Sequence, residues 1–282
     1  MDLVVAVSAS GRTPEILSFI GEAQRRGSAV LGIGAADSPL QEVCTDARGV
    51  SFWPVSRRSP MHDEQKARSL LWALSAPLLL LAGDLGLVAG AREGLAAAAQ
   101  RLDSRAIECG VGVATSDNPA KSLTLHLTAG LPLVWGSGDV GAVAARRLGR
   151  QLAENADWPS VVGALPEAAR THAGLLAGPW AGQADEVDIF RDRTLDDQLQ
   201  PRMRAVLVRD AMEHPDTAAM AEAVVQTCER LGVSYQVVSA VAGHPIEQLA
   251  DLIAVMDFAS IYAALMQRRS RALASRGKKL GL

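Results

Sequence analysis

The chain has 282 residues, of which 49% are hydrophobic, 21% charged and only 4% aromatic, with a formal net charge of −3. That composition can build one large domain or two moderate ones, and it excludes a disordered chain. It also excludes a nucleic-acid binder that relies on overall basicity, while apolar content dominated by Ala, Val and Leu favours helices on buried parallel strands over an aromatic-rich β-sandwich.

Leu3–Val7 reads as a strand that follows Met1 and Asp2 directly. Pro14–Arg26 has helical periodicity, Ala29–Gly32 is a second strand, and a helix over Pro39–Ala47 and a strand over Val50–Val55 follow. A polar loop with Arg57, Arg58, Pro60 and Asp63 leads to two helical segments, near Glu64–Ala82 and Asp84–Leu102, with Gly83 and Gly86 at their junction. The apolar stretch Leu70–Ala82, broken by Ser75 and Pro77, is the longest on this reading. It falls short of the roughly 18–20 residues of a membrane span, so it predicts a buried helix.

A connector over Asp103–Asp117 precedes a restart at Asn118-Pro119, with proline in the first helical turn. Strand Leu131–Trp135, a Gly-rich turn and helix Val140–Ala156 come next, then strands at Ala205–Val208 and Tyr235–Val238 and helices at Asp216–Leu231 and Pro245–Met266. Alternating strands and helices predict an α/β fold of two tandem units, residues 1–103 and 118–282, with parallel sheets flanked by helices. The stretch Arg268–Lys279 carries six basic residues and reads as a solvated helix end.

Cys44, Cys109 and Cys228 are far apart and form no CxxC, which argues against a disulfide framework or zinc site and fits a reducing cytoplasm. The histidines at 62, 126, 172, 214 and 244 include no HxxxH pair, and no basic region precedes the first apolar run as a signal peptide would require.

The sharpest motif is Ser8-Ala9-Ser10-Gly11-Arg12-Thr13-Pro14-Glu15, between a strand and a helix. Hydroxyls, a glycine and the free amides of a helix N-terminus suit a phosphate dianion. The plainer reading makes Thr13 an N-cap and the serines an ordinary turn, but a cap needs one hydroxyl and this loop offers three. A second turn, Gly136-Ser137-Gly138-Asp139-Val140-Gly141, spells the dinucleotide fingerprint GxGxxG. The strand that should follow with an acidic end does not: the helix runs to Ala156, and Val161-Val162-Gly163 lacks the acid.

The Ser8–Glu15 loop resembles the phosphosugar-binding loop of the sugar-isomerase (SIS) fold. More narrowly, the chain resembles the bifunctional phosphoglucose/phosphomannose isomerases in their divergent actinobacterial form. The matches keep their order along nearly the whole chain: Leu3–Glu15, Ala35-Ala36-Asp37-Ser38-Pro39-Leu40, Arg68 ahead of Leu71-Trp72-Ala73-Leu74, and Asn118-Pro119-Ala120-Lys121-Ser122. Gln151-Leu152-Ala153-Glu154-Asn155-Ala156, Leu165-Pro166-Glu167-Ala168 and Asp257-Phe258-Ala259-Ser260-Ile261-Tyr262 complete the set.

The resemblance implies two SIS-type subdomains in a homodimer and a reversible isomerisation of fructose 6-phosphate to glucose 6-phosphate or mannose 6-phosphate, without a metal or redox cofactor. Ser8, Ser10 and Thr13 match the phosphate-holding hydroxyls, Glu154 the isomerising carboxylate and Arg68 the arginine near the enediolate. The plain alternatives are an i,i+4 pair of Glu154 with Arg150 and a solvated flank for Arg68. Where the family has Asn-His-Asn, this chain has Ala169-Arg170-Thr171; arginine does not exchange protons near neutral pH, so the ring-opening role requires a local shift to His172, two residues on, whose plain alternative is an ordinary surface or core histidine. The family also begins with a further strand and a Gly-Gly-Ser loop, so the first unit is expected to be incomplete at its N-terminus. A phosphosugar isomerase is the leading reading. A catalytically weakened phosphosugar-binding or regulatory protein is the second, and a nucleotide-binding oxidoreductase built on Gly136–Gly141 the third.

Overall fold

The computed structural model describes residues 2–45, 50–55, 70–181 and 202–279. It divides into two compact units, Met1–Arg92 and Glu93–Leu282.

The first unit runs β1 (Leu3–Ser8), α1 (Pro14–Arg25), β2 (Ala29–Ala35), α2 (Pro39–Thr45), β3 (Val50–Val55) and α3 (Leu70–Asp84). Its three strands are parallel in the order β1-β2-β3. A strand that must return to its starting edge before pairing in parallel needs a crossover, and α1 and α2 supply it. Ala6 and Val30 on the strands, Ile20 and Ala23 on α1, and Leu40 and Cys44 on α2 form the core. The sequence predicts that α3 is buried, yet none of its residues is. A helix apolar all round lies here against β2 and β3, and one sheet covers only one side of it.

α4 (Ala91–Glu108) leads into the second unit, which continues with α5 (Pro119–Thr128), β4 (Leu131–Ser137), α6 (Gly138–Ala156), β5 (Val161–Ala164) and α7 (Glu167–Thr171). A 3-10 turn, Ala173–Leu176, precedes β6 (Met203–Arg209), α8 (Pro215–Leu231), β7 (Tyr235–Ser239) and α9 (Pro245–Lys279). The four strands are parallel in the order β5-β4-β6-β7. Successive side chains alternate between faces: Val134, Val206 and Val208 meet α5, α6 and α9, while Leu133, Trp135 and Leu207 meet α7 and α8. Both faces are covered, which is why these strands read as unbroken apolar runs.

Two further helices differ from the sequence reading. α4 begins at Ala91 and not at Asp84, and it runs past Leu102 to Glu108, where Arg101 and Arg105 reach α9. The run Pro245–Gln267 is long and apolar enough to cross a membrane, a candidate the focus on Leu70–Ala82 passes over, but 61% of its most apolar window is buried in the protein. Ala250, Leu252, Met256 and Ala259 make it a core helix.

Asp251 on α9 has a side chain only 1% exposed, and Arg105 meets it through Nε at 2.7 Å and Nη2 at 3.1 Å. Removing Arg105 leaves the buried Asp251 carboxylate with the longer Arg101 contact, Nε at 3.7 Å, so Arg105→Ala should cost about 3 kcal/mol in urea unfolding. Arg92→Ala, which breaks an exposed pair with Asp84 at 3.1 Å, should cost less than about 0.5 kcal/mol in the same measurement. The three cysteines are free and buried, and burial raises each thiol pKa, that of Cys228 to about 11. Ellman's reagent at pH 8 should therefore label no cysteine until denaturant is added.

Candidate functional site

Ser8 closes β1, so the loop it opens lies at the C-terminal edge of a parallel sheet, where α/β folds place ligands. Thr13 has the extended backbone of an N-cap (φ −67°, ψ 114°), yet its hydroxyl makes no capping bond. It bonds instead to Ser8 Oγ at 3.0 Å, and Ser8 Oγ also accepts the Gly11 N–H at 3.0 Å. The Arg12 N–H donates to Ser10 Oγ at 3.2 Å. The simple capping reading of Thr13 is therefore incorrect: the hydroxyls organise the loop and leave the first turn of α1 without a side-chain cap. Ser8 is buried, Ser10 and Thr13 are half-buried, and Arg12 is exposed beside them.

Gly11 makes this loop possible. Its φ is +64°, and a Cβ there would stand 2.5 Å from Ser38 Cβ. Ser38 is 1% exposed and donates to the Ala35 carbonyl at 2.7 Å, while the Leu40 N–H donates to the Gly11 carbonyl at 3.0 Å. The β2–α2 turn thus forms the floor of the Ser8–Thr13 loop.

The Gly-rich turn of the second unit is built otherwise. Gly138 has φ +73°, and Asp210 Cβ stands 2.6 Å from where its Cβ would be. The Asp210 carboxylate accepts the Val140 N–H at 3.3 Å and the Met212 N–H at 2.8 Å, and the Asp210 N–H donates to the Ser137 carbonyl at 3.1 Å. A carboxylate from the β6–α8 loop thus sits where a dinucleotide would put its pyrophosphate, and β5 ends at Ala164 with no acid. This geometry opposes the oxidoreductase reading.

Glu154 lies in the last turn of α6, with Arg150 Nη2 3.8 Å from Oε1 and both side chains mostly exposed. Such a pair contributes tenths of a kcal/mol. A closer partner is Gln151, whose Nε2 donates to Glu154 Oε2 at 3.0 Å. His172 follows α7 and is half-buried, its ring centroid 6.2 Å from that of Trp135. Its Nδ1 is buried, with no hydrogen-bond partner among the described residues. Arg170 is exposed, and Arg68 lies outside the described residues.

Within one chain Glu154 and His172 are not brought together. α6 descends to the N-terminal edge of the strands before β5 returns, whereas α7 begins beyond the C-terminal end of β5. α6 packs on the Val134 and Val206 face and α7 on the Leu133 and Trp135 face. The loop of Ser8, Ser10 and Thr13 belongs to the other unit.

The remaining described histidines serve the fold. His126 Nε2 bonds to the Ala205 carbonyl at 2.9 Å, and burial lowers its pKa. His214 and His244 accept the N–H groups of Asp216 and Ile246, at 3.3 and 3.1 Å, at the starts of α8 and α9. No group of three or more His, Cys, Asp or Glu that could hold a metal occurs among the described residues. The sequence reading misses Gln151, the amide partner of Glu154, and Asn155, which bonds Gln151, although the i,i+3 and i,i+4 spacings signal both; Ser260, which holds Asn155 from α9, has no local signal.

A family model described as the bacterial phospho-glucose isomerase C-terminal SIS domain matches residues 116–269. No curated protein matches the chain. Among solved structures, the chain is similar to a glucose-6-phosphate isomerase-like protein from Thermus thermophilus, at 18% identity and a TM-score of 0.51, over 94% of this chain and 81% of that one. It is also similar to tagatose-6-phosphate ketose/aldose isomerase from Escherichia coli, at 12% identity and a TM-score of 0.58, over 94% and 68%. Glucosamine-6-phosphate deaminase from Thermotoga maritima aligns at 13% identity and a TM-score of 0.51, over 94% and 70%. At such identities these likenesses establish the fold.

Because Gly11 combines a positive φ with a blocked Cβ, Gly11→Ala should destabilise the protein by about 1–3 kcal/mol, read as a lowered melting temperature. A melting temperature equal to that of the parent would contradict the described loop.

Proposed function

The chain belongs to the bacterial phosphoglucose isomerase C-terminal SIS-domain family, and we propose that it is a phosphosugar aldose–ketose isomerase acting on glucose 6-phosphate or mannose 6-phosphate and fructose 6-phosphate. The observation that carries this reading is the Ser8–Thr13 loop, whose hydroxyls converge beside an uncapped helix N-terminus instead of capping it. Ser8, Ser10 and Thr13 hold the phosphate, with the α1 dipole favouring the dianion. The ordered motifs from Leu3 to Tyr262 support the divergent actinobacterial form, and Ala169-Arg170-Thr171 is where the chain departs from the family's Asn-His-Asn.

Glu154 acts as the base on the open-chain sugar. Its carboxylate takes the proton from C2 of the aldose and delivers it to C1, while a hydroxyl proton passes from O2 to O1 through a cis-enediol. Because C2 is planar in that intermediate, glucose and mannose phosphates share it. Arg68 steadies the enediolate charge. His172 moves a proton between the anomeric hydroxyl and the ring oxygen to open the ring. Its distance in the fold from Glu154 supports a homodimer in which His172 of the partner subunit completes each site. The proton transfers need neither metal nor redox cofactor, and the three free thiols fit a cytoplasmic protein.

The purified full chain should convert fructose 6-phosphate to glucose 6-phosphate, followed with a coupled dehydrogenase. Ser10→Ala should weaken sugar-phosphate binding about 10-fold, the scale of one hydrogen bond to a charged group. Glu154→Gln should abolish turnover and spare binding. Saturable binding of fructose 6-phosphate without turnover to either aldose phosphate would overturn the isomerase reading.

A further inference from the structure

Glu154 sits at an exposed position with its nearest ion-pair partner among the described residues, Arg150, 3.8 Å away, where a free carboxylate would sample several rotamers. The structure ties it into a line of amides. Gln151 is 7% exposed and donates from Nε2 to Glu154 Oε2 at 3.0 Å. Gln151 Oε1 accepts from Asn155 Nδ2 at 3.2 Å, and Asn155 Nδ2 also donates to Ser260 Oγ at 2.8 Å. Ser260 is fully buried on α9 and donates its hydroxyl to the Asp257 carbonyl at 2.8 Å.

One end fixes the direction of the whole line. A main-chain carbonyl only accepts, so the Ser260 hydroxyl must donate to it and its oxygen is left to accept from Asn155. Asn155 therefore presents its nitrogen, Gln151 must answer with its oxygen, and the Gln151 nitrogen is turned to the carboxylate. The anchor is rigid, because Arg147 on α6 holds the Asp257 carboxylate at 2.9 and 2.6 Å. This arrangement leaves Asn155 Oδ1 buried without a partner among the described residues, a destabilising feature that the orientation of the line requires.

We propose that Ser260, Asn155 and Gln151 are positioning residues that hold the Glu154 carboxylate in its proton-transfer orientation, with Oε2 occupied by Gln151 and Oε1 left for the sugar. This rests on the reading of Glu154 as the isomerising base. A base fixed in this way reaches the reacting carbon in one geometry, and an ångström of misplacement lowers turnover more than binding.

The test uses the full-length protein and fructose 6-phosphate. Gln151→Met keeps the length without the amide, Ser260→Ala removes the anchor, and Asn155→Asp keeps the volume but only accepts, which turns the Gln151 oxygen toward Glu154. Each should lower kcat about 10-fold and leave KM within about 2-fold. If Glu154→Gln is inactive while these three keep the parent kcat, the positioning line is wrong and the base assignment stands; if Glu154→Gln is active, the base assignment is wrong. A second readout is independent of turnover. The Gln151 side-chain NH2 signals in a 1H–15N spectrum should move in both Glu154→Gln and Ser260→Ala, and unmoved signals in both would overturn the line whether or not the chain is active.

Discussion

The second unit depends on the requirement that the acids of α9 be matched. Asp251 and Asp257 sit in a helix otherwise apolar enough for a lipid bilayer, Asp251 buried and Asp257 partly so, and an unpaired carboxylate there would be strongly destabilising. Arginines meet them from both sides: Arg105 on α4 takes Asp251 and Arg147 on α6 takes Asp257. Burial raises the Asp257 pKa and the Arg147 contact opposes it. These pairs fix the register of α9 against its neighbours in a way that Leu and Ala contacts alone would not. The Glu154 environment inherits that register, since Ser260 lies three residues beyond Asp257 on the same helix.

The two units solve the same structural problem differently. In each, a parallel strand ends in a small-residue turn that feeds a helix whose first amides need acceptors. After β4, Asp210 answers from the neighbouring strand and the turn is closed. After β1, the hydroxyls of Ser8 and Thr13 turn toward each other and the helix start is left open. A GxGxxG pattern and a SxSGxT pattern look equally promising as strings of letters. What separates them is whether a carboxylate arrives from elsewhere in the fold.

Most of the architecture was legible because it follows from local period. The strand and helix alternation, the restart at Asn118-Pro119 and the helix after Gly136 are all statements about spacing, and Asn118 accepts the Lys121 N–H as its place before a proline predicts. The errors arose where long-range contact decides. The end of α4 is set by ion pairs to residues some 146 positions away, and the exposure of α3 by how much sheet there is to cover it. At the site, the residue types in the Ser8–Thr13 loop were readable but their bonding was not, since Thr13 gives up capping only because Ser8 is within reach. Gln151 lies one helical turn before Glu154 and Asn155 one turn after Gln151, so both could have been found; Ser260 could not, because nothing in the local sequence shows which α9 hydroxyl lies against α6.

The open start of α1 has a thermodynamic consequence. The helix after β4 carries its own anion, Asp210, tethered at high effective concentration to the Val140 N–H. At the helix after β1 the N-cap Thr13 makes no side-chain cap, although Glu15 places a carboxylate in the first turn, and any dianion that settles there contributes its binding free energy to the fold by mass action. The two halves of the chain therefore differ in what stabilises them. The Asp210 half has its acceptor built in, whereas any stabilisation of the Ser8–Thr13 turn by a bound anion would rise with the concentration of that anion.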